Sequence, residues 1–502
     1  MKPALSKIFA RLVTSSIEKQ TERFISGQDK VFNYIIREGR KTSFGRDHRL
    51  EDVHRIDEFQ AAVPQRDYEG HQYYIQQAIE GKPDILWPGK PICFCKTSGT
   101  TSGVKFIPLT KESMPCHIRG ARNALLSHIA VTGDTSFVGG KMIFLQGSPK
   151  LEQLPSGIPY GRLSGIVANH VPRYLQSNRM PSYDTNCIDD WEQKVDAIVA
   201  ETLVEDMRLI SGIPSWVIMY FERLLSVTGK SKINKVFPNF SLFVYGGVQF
   251  APYRKKFFEL IGSEMPSVEL YPASEGFIAY QDRPDADGLL LNPNAGIFFE
   301  FVPLEEWDKD QATRLTLKDV KLGVQYVILL TTTAGLWCYN IGDTVRFTSL
   351  QPFRIKVTGR VQHYTSAFGE HVISEEVEAA AAHMAMRGLI SILEFHVAPQ
   401  VNPTEGLPYH EWIIECDGEA DKQRLSELAD ESLSAKNIYY RDLIRGQVLR
   451  SAVITLVPRG TFHAYMKAEG KLGGQNKIPR LSNHRIIADK LISIAQREVN
   501  FR

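Results

Sequence analysis

Lys96-Thr97-Ser98-Gly99-Thr100-Thr101-Ser102-Gly103-Val104-Lys105 crowds hydroxyls, glycines and a lysine into one short stretch. Glycines let a backbone approach a phosphate closely and turn successive N–H groups toward it. Hydroxyls add donors and a lysine adds a point charge. Pro91-Ile92-Cys93-Phe94-Cys95 before it reads as a short buried strand, and Phe106-Ile107-Pro108-Leu109 after it as a second apolar run. Strand, phosphate loop and strand together point to a nucleotide enzyme. The common P-loop does not fit, because only Thr100, Thr101 and Ser102 lie between Gly99 and Gly103. A loop of this composition also serves elsewhere as a plain turn, so the decision rests on its flanks and on more distant segments.

Those segments supply two more constellations. Tyr271-Pro272-Ala273-Ser274-Glu275-Gly276 follows a predicted strand. The C-terminal ends of strands are where α/β sheets bind ligands. A carboxylate beside a hydroxyl suits Mg²⁺, a hard ion shared with nucleotide phosphates. The competing reading makes Ser274 a helix N-cap with Glu275 in the first turn. Leu336-Trp337-Cys338-Tyr339-Asn340-Ile341-Gly342-Asp343 places an acid after glycine at a predicted strand end. Such an acid can accept two ribose hydroxyls, and a Gly-Asp turn between strands is the alternative.

Thr97 to Lys105 resembles the phosphate loop of adenylate-forming enzymes, which include acyl-CoA synthetases, peptide-synthetase adenylation domains and luciferases. With Leu86-Trp87-Pro88-Gly89-Lys90-Pro91 upstream and Phe106-Ile107-Pro108-Leu109-Thr110 downstream, the chain resembles the auxin-responsive acyl-acid amido synthetase family, in its bacterial branch. The likeness runs from about Phe32 to Arg480. It implies ATP and Mg²⁺ as cofactors. It also implies adenylation of a small carboxylic acid with release of pyrophosphate, then transfer of the acyl group to an amino acid with release of AMP. Thr97, Ser98, Gly99, Thr100, Thr101, Ser102 and Lys105 would then hold phosphates. Glu275 would bind the metal, Ser274 the α-phosphate region, Tyr271 the adenine or acyl group, and Asp343 the ribose. Gly246-Gly247 matches a position where backbone lies along the adenine. Gly212-Ile213-Pro214-Ser215-Trp216 resembles the start of the helix that lines the acyl pocket.

Gly474-Gln475-Asn476-Lys477-Ile478-Pro479-Arg480 resembles the ending of adenylating enzymes, whose lysine reaches the acyl and phosphate oxygens. Lys477 would stabilise charge that develops on the α-phosphate. In Phe368-Gly369-Glu370-His371 the histidine stands where plant relatives carry a nucleotide-contacting lysine. Two further departures fall at Cys338 and Asn340, where relatives often carry arginine. Arg346 lies nearby in sequence as a replacement.

A chain of 502 residues exceeds the ~250–300 at which single cores split, so more than one domain is expected. The pattern is α/β. A large N-terminal adenylate-forming domain over 1–358, with mixed and parallel sheets plus a small β-barrel, precedes a smaller mobile α+β domain over 359–502. The hinge falls at about 358–366, and the smaller domain is expected to move between half-reactions. Strands are read at Lys141–Leu145, Leu242–Tyr245 and Val268–Tyr271, and helices at Trp216–Val227 and Tyr253–Ile261. In the smaller domain Glu375–Met386 and Asp421–Leu433 read as helices, and Leu389–Ala398, Trp412–Cys416 and Ala452–Val457 as strands.

A net charge of +2 without a basic stripe excludes a broad field for nucleic acid. No apolar run approaches the ~20 residues needed to span a bilayer, so no membrane partner is expected. Six scattered cysteines without a C-x-x-C pair favour neither a zinc site nor a redox motif. The expected home is the cytoplasm and the expected state a monomer. Two other functions fit the same motifs: an acyl-CoA ligase of the same superfamily, and a catalytically degenerate nucleotide- or acid-binding protein.

Overall fold

The computed structural model describes residues 2–98, 104–170, 178–188, 190–248, 250–307, 309, 312–361, 364–365, 372–445, 448–472 and 477–500. The chain forms two compact units. The first comprises Met1–Gly212, Asn239–Gly247 and Met265–Val357; the second comprises Ile213–Pro238, Val248–Glu264 and Thr358–Arg502.

In chain order the strands of the first unit are β1 (Cys93–Ser98), β2 (Val104–Leu109), β3 (Lys141–Phe144), β4 (Glu152–Gln153), β5 (Pro159–Gly161), β6 (Arg179–Met180), β7 (Met207–Ser211), β8 (Leu242–Gly246), β9 (Ser267–Ala273), β10 (Gly276–Tyr280), β11 (Leu289–Leu291), β12 (Ile297–Pro303), β13 (Gln325–Thr332), β14 (Tyr339–Leu350) and β15 (Phe353–Arg360). Eleven of them make one sheet in the order β12-β13-β14-β15-β11-β10-β9-β8-β7-β3-β6. From β6 to β9 the pairing is parallel. Leu242 to Val244 of β8 are fully or almost fully buried, as a central parallel strand requires. The four remaining strands form a second sheet, β2-β1-β5-β4.

The expected β-barrel is not present among the described residues. The strands that suggested it pair antiparallel and extend the large sheet. Leu289 of β11 pairs with Ile355 of β15, which joins the hairpins to β10 and leaves β12 at an open edge. Helix Met114–Thr132 packs on this sheet, burying Ala124 and Ile129 against Leu242, Val244 and Phe277.

The second unit is α+β. Its sheet is β18 (Ser391–Gln400), β19 (Tyr409–Asp417) and β20 (Val453–Leu456), after the short pair β16 (Tyr364–Thr365) and β17 (Val372–Ile373). Alternation along the strands gives the sheet two apolar faces. Val397, Trp412 and Ile414 face a core with helices Ser374–Arg387 and Lys422–Lys436. Ala398 and Ile413 face a core with helices Thr461–Ala468 and Ile486–Asn500. This unit also takes in helices Pro214–Thr228 and Arg254–Ile261, which end at Gly229 and Gly262 in left-handed conformations.

Candidate active site

β1 and β2 form an antiparallel hairpin whose innermost pairs are Thr97 with Lys105 and Ser98 with Val104. The loop positions Gly99, Thr100, Thr101 and Ser102 lie outside the described residues. The Phe106 N–H donates to the Tyr68 hydroxyl at 3.0 Å, tying β2 to helix Tyr68–Ile79. Asp67 caps that helix by accepting from the Gly70 N–H at 3.1 Å. Together these contacts hold Lys105 Nζ 3.8 Å from Glu69 Oε1 and 5.3 Å from the centre of the Tyr68 ring. The ammonium is thus held by a partly exposed carboxylate, a weak pairing that an incoming anion can displace.

Ala273 of β9 pairs with Gly276 of β10, so Ser274-Glu275 is the two-residue turn of a hairpin. The helix-cap reading of Ser274 is thereby excluded. Burial raises the Cys95 thiol far above its usual range; Cys93 and the Glu275 carboxylate add to this, and a hydrogen bond with Ser274 opposes it. Burial also raises the Tyr339 phenol, helped by Glu275, Tyr68, Asp67 and Glu69. These mutual effects show that the β1 strand, the Ser274-Glu275 turn, Tyr339 and the start of helix Tyr68–Ile79 share one locality. Its carboxylates make it acidic. Among the described residues no group of three or more His, Cys, Asp or Glu is arranged to hold a metal alone.

The Tyr271 hydroxyl donates to Asp343 Oδ2 at 2.6 Å. The expectation of Asp343 at a strand end is corrected here, since it lies within β14. Val327 pairs with Thr344 and Leu329 with Asn340, so three residues of β13 span five of β14. Gly342 absorbs this bulge with φ of 83°, and its N–H donates to Asn340 Oδ1 at 2.7 Å. Bulges re-aim side chains, and this one presents Asp343 to Tyr271. Gly246 ends β8 beside Leu270, whose carbonyl oxygen would stand 2.4 Å from any Cβ there. Gly247 follows with φ of 81°. Both glycines are required by local geometry, and they lie next to the strand that carries Tyr271.

Around Cys338 and Asn340 the backbone is claimed by Arg66. Its N–H donates to the Cys338 carbonyl at 3.1 Å, and its own carbonyl accepts from the Asn340 N–H at 2.8 Å. Beneath them Arg314 and Glu300 make a buried two-pronged ion pair at 2.9 and 3.1 Å, near enough to act on the Cys338 thiol. Guanidinium groups therefore border this segment from elsewhere in the chain. Arg346 stands three residues after Asp343 on the same strand.

Glu269 is a residue that sequence reasoning passed over. It lies in β9, two positions before Tyr271, and accepts from the Tyr245 hydroxyl at 3.3 Å. Burial pushes its carboxyl up to about 6 from 4.5, with Tyr245 and Lys356 opposing. The only signal was an acid inside the apolar run Val268-Glu269-Leu270-Tyr271. Between pH 4.5 and 6 the folded chain holds a proton that the unfolded chain has released. Glu269 therefore costs stability as pH rises through that window, by at most about 2 kcal/mol. Glu269→Gln should remove this part of the slope, so the variant should gain on the parent between pH 5 and pH 7 in thermal unfolding. An unchanged difference between the two proteins across that range would show that the carboxyl titrates normally.

In the second unit Lys477 is exposed and Ile478 is buried behind it. His371 lies outside the described residues.

Three segments match the models of one family in order: the GH3 family N-terminal domain over residues 13–190, its central domain over 289–360 and its C-terminal domain over 371–486. The chain belongs to the GH3 family. A jasmonoyl–L-amino acid synthetase, JAR4 of Nicotiana attenuata, is 24% identical over 84% of this chain and 85% of its own length. A 4-substituted benzoates–glutamate ligase, GH3.12 of Arabidopsis thaliana, is 27% identical over 39% of this chain and 37% of its own length. Among solved structures, the GH3.15 acyl acid amido synthetase superposes with a TM-score of 0.77 at 16% identity, covering 96% of this chain and 95% of that one. A 2-hydroxyisobutyryl-CoA ligase in the postadenylation state gives 0.59 at 13% identity, over 95% and 92%. These likenesses bear out the α/β adenylate-forming fold. This GH3 chain is an enzyme, an acyl-acid amido synthetase. No helix among the described residues is long and apolar enough to cross a membrane.

Proposed function

We propose that the chain adenylates a small carboxylic acid and passes the acyl group to an amino acid, with the work divided among the residues named above. The observation that carries the assignment is the single locality shared by the β1–β2 hairpin, the Ser274-Glu275 turn and Tyr339 in a GH3 chain. In the first half-reaction a substrate carboxylate oxygen attacks the α-phosphorus of ATP. The bond to the β-phosphate oxygen breaks and pyrophosphate leaves. Thr97, Ser98, Gly99, Thr100, Thr101, Ser102 and Lys105 hold the phosphates. Ser274 serves the α-phosphate, Gly246 and Gly247 the adenine, and Asp343 the ribose with Tyr271 fixing its carboxylate. Glu275 would hold Mg²⁺, which when bound draws negative charge from the phosphate oxygens. Lys477 answers the charge that develops on the α-phosphate, and His371 is assigned to the nucleotide.

In the second half-reaction the amino group attacks the acyl carbonyl, AMP leaves and the nitrogen loses a proton. A smaller C-terminal domain runs from residue 359, with a hinge at about 358–366, in this proposal. It draws support from the ends of the matched segments at 360 and 371. The six cysteines are free, which supports a reducing compartment such as the cytoplasm.

Pyrophosphate release measured across a panel of carboxylic acids tests the first step. AMP and amide formation with amino acids, against coenzyme A, tests the second. Thioester formation with coenzyme A and no amide with any amino acid would favour the acyl-CoA ligase reading. Absence of acid-dependent pyrophosphate release would favour the degenerate binding protein.

Asp343→Ala should raise the KM for ATP by ~10–100-fold, the loss of hydrogen bonds made by a charged group. Tyr271→Phe should have a smaller effect in the same direction, because it only frees the Asp343 carboxylate to turn. Initial rates at varied ATP decide this, and an unchanged KM in Asp343→Ala would remove Asp343 from the ribose.

A further inference from the structure

Arg480 closes the motif that carries Lys477. Its guanidinium is almost wholly buried, with 7% of the residue exposed. It donates to Glu394 of β18, to the Tyr253 hydroxyl, and at 3.2 Å to the Phe395 carbonyl. It also lies 4.8 Å from the Phe395 ring centre and 5.5 Å from that of Tyr253. Glu378 adds a further negative charge near it. The Tyr253 hydroxyl in turn donates to Glu394 at 3.4 Å. Tyr253 ends the short turn Ala251–Tyr253, which leads into helix Arg254–Ile261 of the same unit.

The chain just before Arg480 is fixed as firmly. The His396 ring Nδ1 donates to the Pro479 carbonyl at 2.7 Å. The Val397 N–H donates to the Arg480 carbonyl at 2.9 Å, and the Ser482 N–H to the Val397 carbonyl at 3.0 Å. Leu481 bridges Val397 in parallel, so the segment adds itself along β18. Ile478 is buried. Lys477 is thus the exposed first residue of a run whose next residues are pinned.

A buried ion pair contributes little net stability beyond an apolar replacement of the same size, and its best-attested use is to fix register. Here the register it fixes is that of the segment bearing Lys477. We infer that Arg480, held by Tyr253 and Glu394, is a positioning residue for Lys477 in adenylation. The inference rests on the role given to Lys477 above. A cation must be placed to within a fraction of an ångström to favour the transition state over the ground state. A loosened anchor therefore costs rate rather than substrate binding.

The test uses the full-length enzyme. Tyr253→Phe removes one hydroxyl and keeps the ring, and Arg480→Lys keeps the charge and loses the fork. Each should lower kcat for acid-dependent pyrophosphate release on the order of 10-fold, with the KM for ATP nearly unchanged. Amide formation from a presynthesised acyl adenylate should stay near the parent rate. In a Lys477→Ala background neither substitution should lower adenylation further, because the residue acts only through the lysine. Thermal unfolding of each variant checks that the chain is folded. Equal losses with and without Lys477, or equal losses in both half-reactions, would overturn the inference and leave the role of Lys477 intact. A silent Lys477→Ala would instead overturn that role, and the inference with it.

Discussion

Lys477→Ala lowers acid-dependent pyrophosphate release by ~10²–10³-fold, the usual loss for one donor aimed at developing charge. ATP binding weakens far less, since the contact strengthens only as charge moves onto the α-phosphate. Amide formation started from a presynthesised acyl adenylate runs at nearly the parent rate, because the phosphate charge is already settled. Pyrophosphate release and single-turnover amide formation, measured side by side on the same preparation, separate these effects. His371 is the competing cation, at the position where plant relatives carry lysine. If His371→Ala cripples adenylation while Lys477→Ala is silent, the nucleotide cation belongs to the segment before helix Ser374–Arg387.

Most of the framework could be read from local patterns. The apolar runs that became β3, β8 and β9 are short and flanked by turn residues, and β8 is buried along nearly its whole length. Helix Arg254–Ile261 was legible within the expected Tyr253–Ile261, with Gly262 beyond its end. The C-terminal α+β unit was legible for the same reason: Trp412 to Ile414 alternate between two cores, and the flanking helices carry matching apolar faces.

What escaped was long-range pairing. No local signal says that Leu289 will meet Ile355, and that one pairing turns an expected barrel into the continuation of an eleven-stranded sheet. The same holds within the site. Asp343 was singled out at an expected strand end, yet its place inside β14 depends on a bulge set by the register with β13. Glu269, Arg66 and Arg480 were invisible as actors because their partners lie far off in sequence: Tyr245, the Cys338 and Asn340 backbone, and Tyr253. A buried charge is meaningful only with its partner, and a sequence shows the charge alone.

Glu275→Gln is the substitution that most directly probes the metal. Glutamine keeps the shape and an acceptor oxygen, so the turn between β9 and β10 survives and Ser274 keeps its place. The charge is lost. With it goes most of the attraction for a hard divalent cation, which binds carboxylates far better than neutral amides. The magnesium concentration needed for half-maximal pyrophosphate release should therefore rise by at least 10-fold. At saturating metal the rate should recover in part, because the nucleotide phosphates still bind the ion. If the magnesium dependence is unchanged in this variant, the Glu275 carboxylate does not hold the metal, and another ligand must be sought.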